Sequence, residues 1–388
     1  MAQAVRTDMP QTAQEAAQLL RGCAADGIAV RIIGAGTKPW GSAGAECGVE
    51  LGTGALGAIV EHNRGDLTAV VQPGVSLREL DETFAAADQM LALDPPLGEG
   101  DAATIGGLVA TGDSGPLRHR YGAARDLVLG ITVALPDGSL ARAGGKVIKN
   151  VAGDDLAKLF SGSCGTLGLI TEVAVRLHPR APAHATATAT TDDPGLLQRA
   201  AIALASSSLE AQSLDVRWED QTGTVLARFG GLAATAQAAA AERLLAELGV
   251  DAAAATEDDD ALWAAQRAAQ RAADGGAVVR VSGRPSALAD ACVAAQVAGA
   301  TLVGRAALGL AWIALPAAAP GELVTAIARL RKVLAPSPCV VLDAPAYVRA
   351  HLDPWDHPED ASLVLMRRVK ERFDPVHTCN PGIFVGGI

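Results

Sequence analysis

The first part of the chain combines one amphipathic stretch with several short apolar runs. Apolar residues recur at helical spacing over residues 12–26, which predicts a helix, and the apolar run 28–33 predicts a strand. Three more runs rich in β-branched residues, at 67–72, 127–135 and 173–177, are bounded mainly by glycine and proline. The pattern therefore predicts a helix followed by strands that glycine-rich loops connect.

Prolines interrupt this pattern at residues 178–182, and a new order of elements begins beyond them. The order is strand, helix, strand, strand, helix, and it occurs twice. The predicted elements are 186–191, 195–206, 213–218, 224–229 and 235–248, then 278–282, 286–297, 301–306, 310–315 and 322–334. We therefore predict a domain boundary near residue 180, with domains at 1–180 and 181–388 and the second of α+β type.

The composition is that of a folded chain with two cores. The chain has 388 residues, of which 49% are hydrophobic and 19% charged, so it is long for one core and lacks the high charge of disordered proteins. The formal net charge is −11, from 43 acidic and 32 basic residues, and no basic block occurs. Nucleic acid is therefore not an expected partner, because binding its phosphates requires clustered cations.

The sequence shows neither a targeting segment nor a metal-binding pattern. The six cysteines are scattered without the spacing of metal ligands, which favours reduced thiols. The amino-terminal stretch has no apolar signal core, and no run reaches the ~20 apolar residues that span a bilayer. His351 and His357 lie among prolines and are expected at the surface. We predict no metal site and a cytoplasmic location, with any contact at the inner face of the membrane made through partners.

A glycine-rich loop follows the predicted strand at 28–33. Its residues are Gly34, Ala35, Gly36, Thr37 and Lys38. Such small residues allow backbone amides to approach a phosphate closely. The dinucleotide fingerprint GxGxxG does not fit, because Pro39 occupies the third glycine position, and the P-loop spacing does not fit either. Alone, the loop predicts either a phosphate-binding turn or an ordinary tight turn.

Three further segments place glycine beside small or apolar residues. Pro73 and Gly74 follow a strand and precede a helix, the segment 94–97 is followed by 103–115, and 162–171 leads into a strand. Because glycine costs chain entropy on folding, so many glycines require a reason. One ligand in contact with all four loops would supply that reason, and a glycine-rich structural domain without a cofactor is the alternative.

The order of these segments resembles a known family. GAGTKPWG, QPGVSL, ATIGGLVATGDSG and GSCGTLGLIT, over roughly residues 10–180, are similar to the FAD-binding domain of vanillyl-alcohol oxidase type flavoproteins. The resemblance implies an α+β fold with a PCMH-type two-subdomain FAD-binding domain, a smaller ferredoxin-like α+β cap, and a C-terminal tail that returns to the FAD domain. It places the pyrophosphate on the first loop and the adenine end on the last.

The resemblance also assigns residues to the cofactor. They are Gly34, Ala35, Gly36, Thr37, Lys38, Pro73, Gly74, Pro95, Thr104, Ile105, Gly106, Gly107, Gly112, Ser114, Gly115, Gly165, Gly168 and Ile170. Residues 111–115 offer no His or Cys for covalent attachment, so non-covalent FAD is favoured.

A closer resemblance concerns four shorter segments. Residues 114–126, 145–156, 372–375 and 380–382 are similar to the FAD-binding subunits of glycolate oxidase, which commonly carry tyrosine where Asp154 stands here. That resemblance implies oxidation of glycolate, a small 2-hydroxy acid, to glyoxylate. The resemblance also implies two partners, a second glycolate oxidase flavoprotein subunit and an iron-sulfur subunit. No cysteine pattern here can hold a cluster, so electrons leaving the flavin would pass to a partner or another acceptor.

Two other functions stay open at this point. One is a self-sufficient FAD dehydrogenase of another small hydroxy acid or alcohol, and the other is a scaffold subunit that has lost FAD. No cluster of base and metal ligands is recognisable in the cap, so the catalytic residues are unknown. The arginines in or beside predicted cap strands could face the flavin and hold a carboxylate. They are Arg217, Arg228, Arg280 and Arg305.

Overall fold

A computed structural model describes residues 5–146 and 156–388. The segment 147–155, which includes Asp154 and part of the glycolate oxidase resemblance, lies outside the described residues.

The first part of the chain contains two main sheets and one small one. Its strands are β1 (Arg6–Asp8), β2 (Val30–Ile33), β3 (Val49–Gly52), β4 (Ile59–Asn63), β5 (Thr68–Val71), β6 (Gln89–Met90), β7 (Val128–Ala134), β8 (Leu140–Gly144), β9 (Leu169–Arg176) and β10 (His178–Pro179). Three strands form a parallel sheet in the order β1-β3-β2, and five form an antiparallel sheet in the order β4-β5-β9-β7-β8. The short strands β6 and β10 pair with each other.

Six helices accompany these sheets within residues 5–146 and 156–180. They are α1 (Ala13–Ala25), α2 (Leu77–Ala85), α3 (Ile105–Thr111), α4 (Arg118–Tyr121), α5 (Ala124–Leu127) and α6 (Ala157–Phe160). The side chain of Thr12 caps α1 by accepting a hydrogen bond from the N–H of Glu15, and the buried face of α1 packs on the parallel sheet. Thr104 caps α3 in the same way through the N–H of Gly107. This cap fixes where α3 begins, next to the first glycine-rich loop.

The second part of the chain forms one eight-stranded sheet. Its strands are β11 (His184–Thr191), β12 (Ser213–Glu219), β13 (Thr222–Gly230), β14 (Asp251–Thr256), β15 (Ala277–Ser282), β16 (Thr301–Arg305), β17 (Leu310–Leu315) and β18 (Cys339–Val341). The order is β14-β11-β13-β12-β16-β17-β15-β18, and every pairing is antiparallel. Each half has the element order and strand order of a ferredoxin-like unit, and β12 and β16 join the halves edge to edge.

Helices cover both faces of this sheet. The remaining helices are α7 (Pro194–Ser206), α8 (Ala234–Glu247), α9 (Asp260–Ala268), α10 (Leu288–Val297), α11 (Pro320–Leu334), α12 (Ala346–His351) and α13 (Ala361–Phe373). Helices α7, α8, α10 and α11 pack on one face and enclose the largest apolar core. On the opposite face α9 contributes Trp263, whose indole N–H donates to Thr186 on β11. That second face looks towards the first part of the chain.

The expected fold class is confirmed, and the repeated α+β grouping is present as two ferredoxin-like halves. All ten predicted elements beyond residue 180 correspond to observed ones with small shifts at their ends. The pattern did not predict the fourth strand of either half. Strand β14 is alanine-rich and β18 has three residues, so neither carries the β-branched, alternating pattern on which strand prediction depends.

The C-terminal tail packs against the first part of the chain. Phe373 on α13 contacts Phe160 edge to face, with ring centroids 5.4 Å apart. The ammonium group of Lys370 donates to Thr166 O at 2.7 Å, to Cys379 O at 2.9 Å and to the carboxylate of Asp374 at 2.6 Å. This buried lysine thus joins the last helix, the tail and the segment 162–168.

Replacing Lys370 with Met should destabilise the protein strongly. Asp374 is fully buried, and it would keep only the N–H groups of Thr378 and Cys379 as hydrogen-bond donors. Breaking a buried pair by removing one partner costs roughly 3–5 kcal/mol. Urea unfolding followed by circular dichroism measures the change.

The matched control is Arg199→Met, which removes a pair between Arg199 and Asp193 with side chains 62% and 55% exposed. Exposed pairs contribute little to stability. If both variants unfold at the same urea concentration, Lys370 does not have the structural role assigned to it.

Candidate functional site

One groove brings together the loops that the sequence singled out. Its walls come from the first glycine-rich loop, the turn before α2, helix α3, the segment before β9 and the C-terminal tail. The predicted cofactor residues among its lining are Gly34, Ala35, Gly36, Thr37, Lys38, Pro73, Thr104, Gly106, Gly107, Gly165, Gly168 and Ile170. Twelve positions spread over more than 130 residues of sequence therefore face a single space.

The first loop offers a row of backbone donors to this space. Within the described part of the chain, the N–H groups of residues 35–38 make no hydrogen bond. A side chain at Gly34 would approach Thr104 Oγ1 to 2.8 Å, so only glycine lets this loop lie against the start of α3. Consecutive free N–H groups form a concavity that suits an anion, and the pyrophosphate of FAD fits this loop on that ground.

Residues from the cap hold the first loop in place. Asp343 accepts hydrogen bonds from Trp40 Nε1 at 2.9 Å and from Arg271 Nε at 2.5 Å. Arg271 also donates to Thr37 O at 2.9 Å, and the Trp40 ring packs with Val278, Val303 and Trp312 of the cap sheet. The loop is therefore bound on one side by the cap and on the other by α3.

The C-terminal tail completes the groove, a role that sequence reasoning missed. Asn380 accepts a hydrogen bond from Ile32 N and donates one to Cys164 O, both at 2.7 Å. Asn380 and Ile383 line the groove beside those two segments. The Asn-Pro-Gly sequence at 380–382 was the available signal, but nothing in its local pattern indicated which surface it would contact.

Two adjacent glycines of α3 have different surroundings. A side chain at Gly106 would meet Pro73, including its carbonyl oxygen at 2.9 Å, so Gly106 is required for α3 to pack on the turn before α2. A side chain at Gly107 would meet only Thr104 Oγ1, at 3.3 Å. Gly106 therefore serves packing within the protein, whereas Gly107 leaves room on the side of the groove.

Six predicted cofactor residues are not part of the groove lining. Gly74 lies against the backbone of residues 53–56, and Ile105 is fully buried in the apolar core. Gly112 ends α3 in the left-handed conformation, while Pro95 lines a separate cavity between the two parts of the chain. Their assignment to the cofactor stays a prediction.

The last two of the six, Ser114 and Gly115, face the cap. Arg305 donates to Ser114 O and Gly115 O, and the backbone of Gly115 packs closely on Asp94. Their assignment to the cofactor stays a prediction as well.

A buried ion pair lies at the end of the groove nearest the cap. Lys38 Nζ is 3.6 Å from Asp113 Oδ2, and the two side chains are 5% and 4% exposed. Burial lowers the pKa of Lys38, and burial also raises the pKa of Asp113, although each partner's charge opposes its shift. Asp113 was not among the predicted residues, because a single aspartate in a glycine-rich segment carries no distinctive pattern.

The four candidate arginines have different surroundings. Arg217 pairs with Glu219, and Arg228 pairs with Asp259 and Asp260. Arg305 is fully buried, stacks over Trp312 at 4.3 Å and donates to Gln270 Oε1. The side chain of Arg280 on β15 forms no hydrogen bond or ion pair with any residue of 5–146 or 156–388, and its buried Nε has no partner there.

The charge of Arg280 acts on the cap end of the groove. It opposes the burial that raises the pKa of Cys164, a residue of the groove lining, and the charges of Asp113 and Cys164 in turn act on Arg280. Burial lowers the pKa of Arg280 itself. Burial nonetheless raises the pKa of the Cys164 thiol to about 12, so this thiol stays protonated and is a poor nucleophile for attachment to a flavin.

Neither a metal cluster nor a membrane-spanning helix is found in the described residues. No three His, Cys, Asp or Glu side chains gather there as metal ligands. His351 and His357 are exposed and bond to nearby backbone oxygens of Tyr347 and Pro358. None of the helices within 5–146 and 156–388 combines the length and the apolar character that crossing a bilayer requires.

Comparison with known proteins supports the cofactor and the fold. Residues 6–144 match the family model described as FAD binding domain. Among solved structures, alkyldihydroxyacetonephosphate synthase superposes with a TM-score of 0.70 at 16% identity, covering 97% of this chain and 76% of that protein. Chitooligosaccharide oxidase gives a TM-score of 0.66 at 15% identity, covering 96% and 89%. The predictions of FAD as cofactor and of a PCMH-type fold are confirmed.

Relatives in sequence include an FAD-linked oxidoreductase and two subunits named for glycolate oxidase. An uncharacterized FAD-linked oxidoreductase of Mycobacterium tuberculosis is 40% identical over 172 residues, 44% of this chain and 37% of the relative. Glycolate oxidase subunit GlcD of Bacillus subtilis is 37% identical over 172 residues, which cover 44% of this chain and 36% of that protein. Glycolate oxidase subunit GlcE of Escherichia coli is 41% identical over 122 residues, which cover 31% of this chain and 35% of that protein. The aligned segment thus spans little more than a third of each relative, and the expected class, an FAD-dependent oxidoreductase, is the class that these names describe.

Replacing Gly107 with Val should release FAD without unfolding the protein. The added side chain has only Thr104 Oγ1 as a close neighbour in the protein, so most of its volume would occupy the groove. Overpacking by 1–3 kcal/mol corresponds to FAD binding that is about 10- to 100-fold weaker. The FAD-to-protein ratio from the visible and ultraviolet absorption measures this.

The control is Gly22→Val on the exposed side of α1, where nothing lies within 4 Å of the added side chain. Gly27 is a poorer control, because its φ of +65° strains any side chain there. Equal FAD content in the Gly107 and Gly22 variants would show that the cofactor does not lie along this part of α3.

Proposed function

We propose that this chain is the FAD-binding subunit of a glycolate oxidase, or glycolate dehydrogenase, that oxidises glycolate to glyoxylate. In this proposal the chain works with a second flavoprotein subunit and an iron-sulfur subunit. The relatives named GlcD and GlcE support the proposal, and so do the relatives named D-lactate dehydrogenase and D-2-hydroxyglutarate dehydrogenase, which point to 2-hydroxy acids in general.

One observation carries the substrate class. Arg280 is a cation without a partner among the described residues, and it lies where its charge reaches the cap end of the FAD groove. A guanidinium group binds a carboxylate through two parallel hydrogen bonds and is most effective in a poorly hydrated site. A small hydroxy acid held by Arg280 would therefore keep its α-carbon at the end of the groove.

The chemistry divides between the cofactor and the chain. FAD, when bound, supplies the acceptor for a hydride from the α-carbon. The first loop would hold the pyrophosphate through its free N–H groups, and the Arg271–Asp343 pair keeps that loop against the cap. The apolar contact of Trp40 with Val278, Val303 and Trp312 excludes water beside the loop.

A stand-alone FAD dehydrogenase of another small hydroxy acid or alcohol is the second candidate. The unpartnered Arg280 favours it as much as it favours the complex, because a cation at the groove serves substrate binding in either case. A scaffold role without FAD finds less support, because the donors of the first loop and the lining glycines are in place.

Replacing Arg280 with Met should weaken carboxylate binding while FAD is retained. Hydrogen bonds to a charged group contribute about 1.5–3 kcal/mol, which corresponds to about 10- to 100-fold in the dissociation constant. Oxalate is a suitable probe, because it carries the carboxylate and cannot donate a hydride. Its binding is followed through the change it causes in the visible absorption of the flavin.

The matched control is Arg217→Met, on another strand of the cap sheet, because Arg217 already has Glu219 as a partner. The proposal expects the oxalate affinity of the control to equal that of the wild type. An Arg280 variant that binds oxalate as tightly as the control would contradict the proposed substrate site.

The role of the partners is tested with the same absorption bands. Under anaerobic conditions glycolate is added to the chain alone and to the chain copurified with the products of neighbouring genes. Bleaching only in the complex supports the glycolate oxidase subunit, and bleaching of the chain alone supports the stand-alone dehydrogenase. No bleaching in either sample, with glycolate or other 2-hydroxy acids, contradicts both.

A further inference from the structure

Lys38 and Asp113 form a buried pair that has one unused hydrogen-bond acceptor. Asp113 Oδ1 accepts a hydrogen bond from Ser114 N at 2.8 Å. Asp113 Oδ2 is 3.6 Å from Lys38 Nζ, beyond hydrogen-bond distance, and it has no hydrogen-bond partner among the described residues. Burying a carboxylate oxygen without a hydrogen-bond donor costs free energy of folding, so an oxygen of this kind requires an explanation, such as a role in function.

The position of Asp113 connects it to the groove. Thr111 at the end of α3 lines the groove, and Gly112 then turns the chain in the left-handed conformation. Asp113 follows immediately, and its partner Lys38 is itself part of the lining. Asp113 itself is not among the lining residues, but its Oδ2 lies 3.6 Å from the ammonium group of Lys38, which is.

Four cations among the described residues act on this carboxylate. They are Lys38 from the first loop, Arg271 from the segment after α9, Arg280 from β15 and Arg305 from β16. Arg271 and Arg305 have acidic neighbours of their own, Asp343 and Asp215. Arg280 forms no ion pair among the described residues, so its guanidinium group stays available for a bound carboxylate.

Oxidation of an alcohol carbon requires an acceptor for the hydroxyl proton. Arginine cannot accept a proton, and an ammonium group has no lone pair to offer. Asp343 is already bound by Arg271 and Trp40. Asp113 is the carboxylate beside the groove lining that combines an unused oxygen with proximity to Arg280.

We propose that Asp113 is the proton acceptor for the hydroxyl group of a 2-hydroxy acid held by Arg280. This inference rests on the proposed function. FAD, when bound, would accept the electron pair of the C–H bond as hydride, while the O–H bond breaks and its proton passes to the carboxylate of Asp113. The carbon–oxygen bond becomes a carbonyl, so the acid loses two electrons and two hydrogens, which the flavin and Asp113 together receive.

The two residues of the pair have complementary tasks. The ammonium group of Lys38 stabilises the ionised form of Asp113, while burial acts in the opposite direction and raises the pKa of Asp113 above its usual value. The acceptor must be ionised to take a proton. The rate of flavin reduction should therefore be full above this raised pKa and should fall as the pH drops through it.

Asp113→Asn tests the role directly, because it keeps the shape of the side chain and removes the proton acceptor. The control is Asp215→Asn, which changes another fully buried aspartate that also has one oxygen without a hydrogen bond. Asp215 lies 3.8 Å from Arg305 on the cap, whereas Asp113 pairs with Lys38, a residue of the groove lining. The FAD-to-protein ratio of both variants is measured first.

Anaerobic stopped-flow reduction by the hydroxy acid that reduces the wild type gives the rates. Flavin reduction in the Asp113 variant should be slower by about 10²- to 10⁴-fold, and its rate should no longer fall at low pH. The Asp215 variant should reduce its flavin at the wild-type rate, and that rate should still fall at low pH. Equal rates and equal pH profiles in the two variants would overturn the role of Asp113 while leaving the proposed function intact. A wild type that no 2-hydroxy acid reduces, alone or in its complex, overturns the proposed function and this role together.

Oxalate binding gives a second readout that needs no turnover. The second carboxylate of oxalate would meet Asp113, so the wild type should bind oxalate more tightly as the pH falls and Asp113 becomes protonated. The Asp113 variant should bind it equally well at every pH, and the Asp215 variant should behave as the wild type. A wild-type affinity that does not change with pH would overturn the proposal even if the Asp113 variant fails to fold.

Discussion

The site depends on the four consecutive backbone N–H groups of residues 35–38, which have no hydrogen-bond partner in the described structure. A loop with so many free donors is stable in one shape only if its surroundings hold it. The loop packs against Thr104 at the start of α3. On the cap side, Arg271 pairs with Asp343 and donates a hydrogen bond to Thr37 O of the loop. The tail fixes the neighbouring strand through Asn380. Three distant parts of the sequence thus shape one binding surface for an anion.

The buried charges at the cap end of the groove follow from the same arrangement. Lys38 belongs to the loop that carries the free donors, and its side chain reaches Asp113 beyond the end of α3. Burial outweighs the attraction between them, since the pKa of each shifts towards the neutral form. With Arg280 close by and unpartnered, the cluster has an excess of positive charge among the described residues. Such a cluster favours a negatively charged substrate and brings an acceptor for its proton.

The local pattern predicted most of the fold and the binding loops. Helix α1 and the repeated α+β grouping of the cap were recognisable because apolar residues recur at helical or strand spacing along them, whereas the family resemblance implied the ferredoxin-like form of the cap. The glycine segments were recognisable because close backbone approach excludes side chains, as Gly34 and Gly106 illustrate. A single sequence reveals the clustering of these glycines, although the contacts that require them, of Gly34 with Thr104 and of Gly106 with Pro73, join segments distant in sequence.

Features that depend on contacts between distant segments could not be predicted in this way. Asn380 contacts residues more than 200 positions away. The role proposed for Asp113 is apparent only from its proximity to Lys38 in the folded chain. Of the four candidate arginines, Arg280 differs from the others only in having no partner, a property that no sequence pattern records. The alanine-rich strand β14 is recognisable only through its pairing with β11.

The most direct test of this account is an experimental structure of the purified chain with its FAD. The account predicts the pyrophosphate within hydrogen-bond distance of the N–H groups of residues 35–38, with the flavin ring towards Lys38, Asp113 and Arg280. FAD bound in another cavity, or with its ring at the end of the groove away from Lys38, would contradict the assignment of the cofactor site and of the residues proposed to act on the substrate.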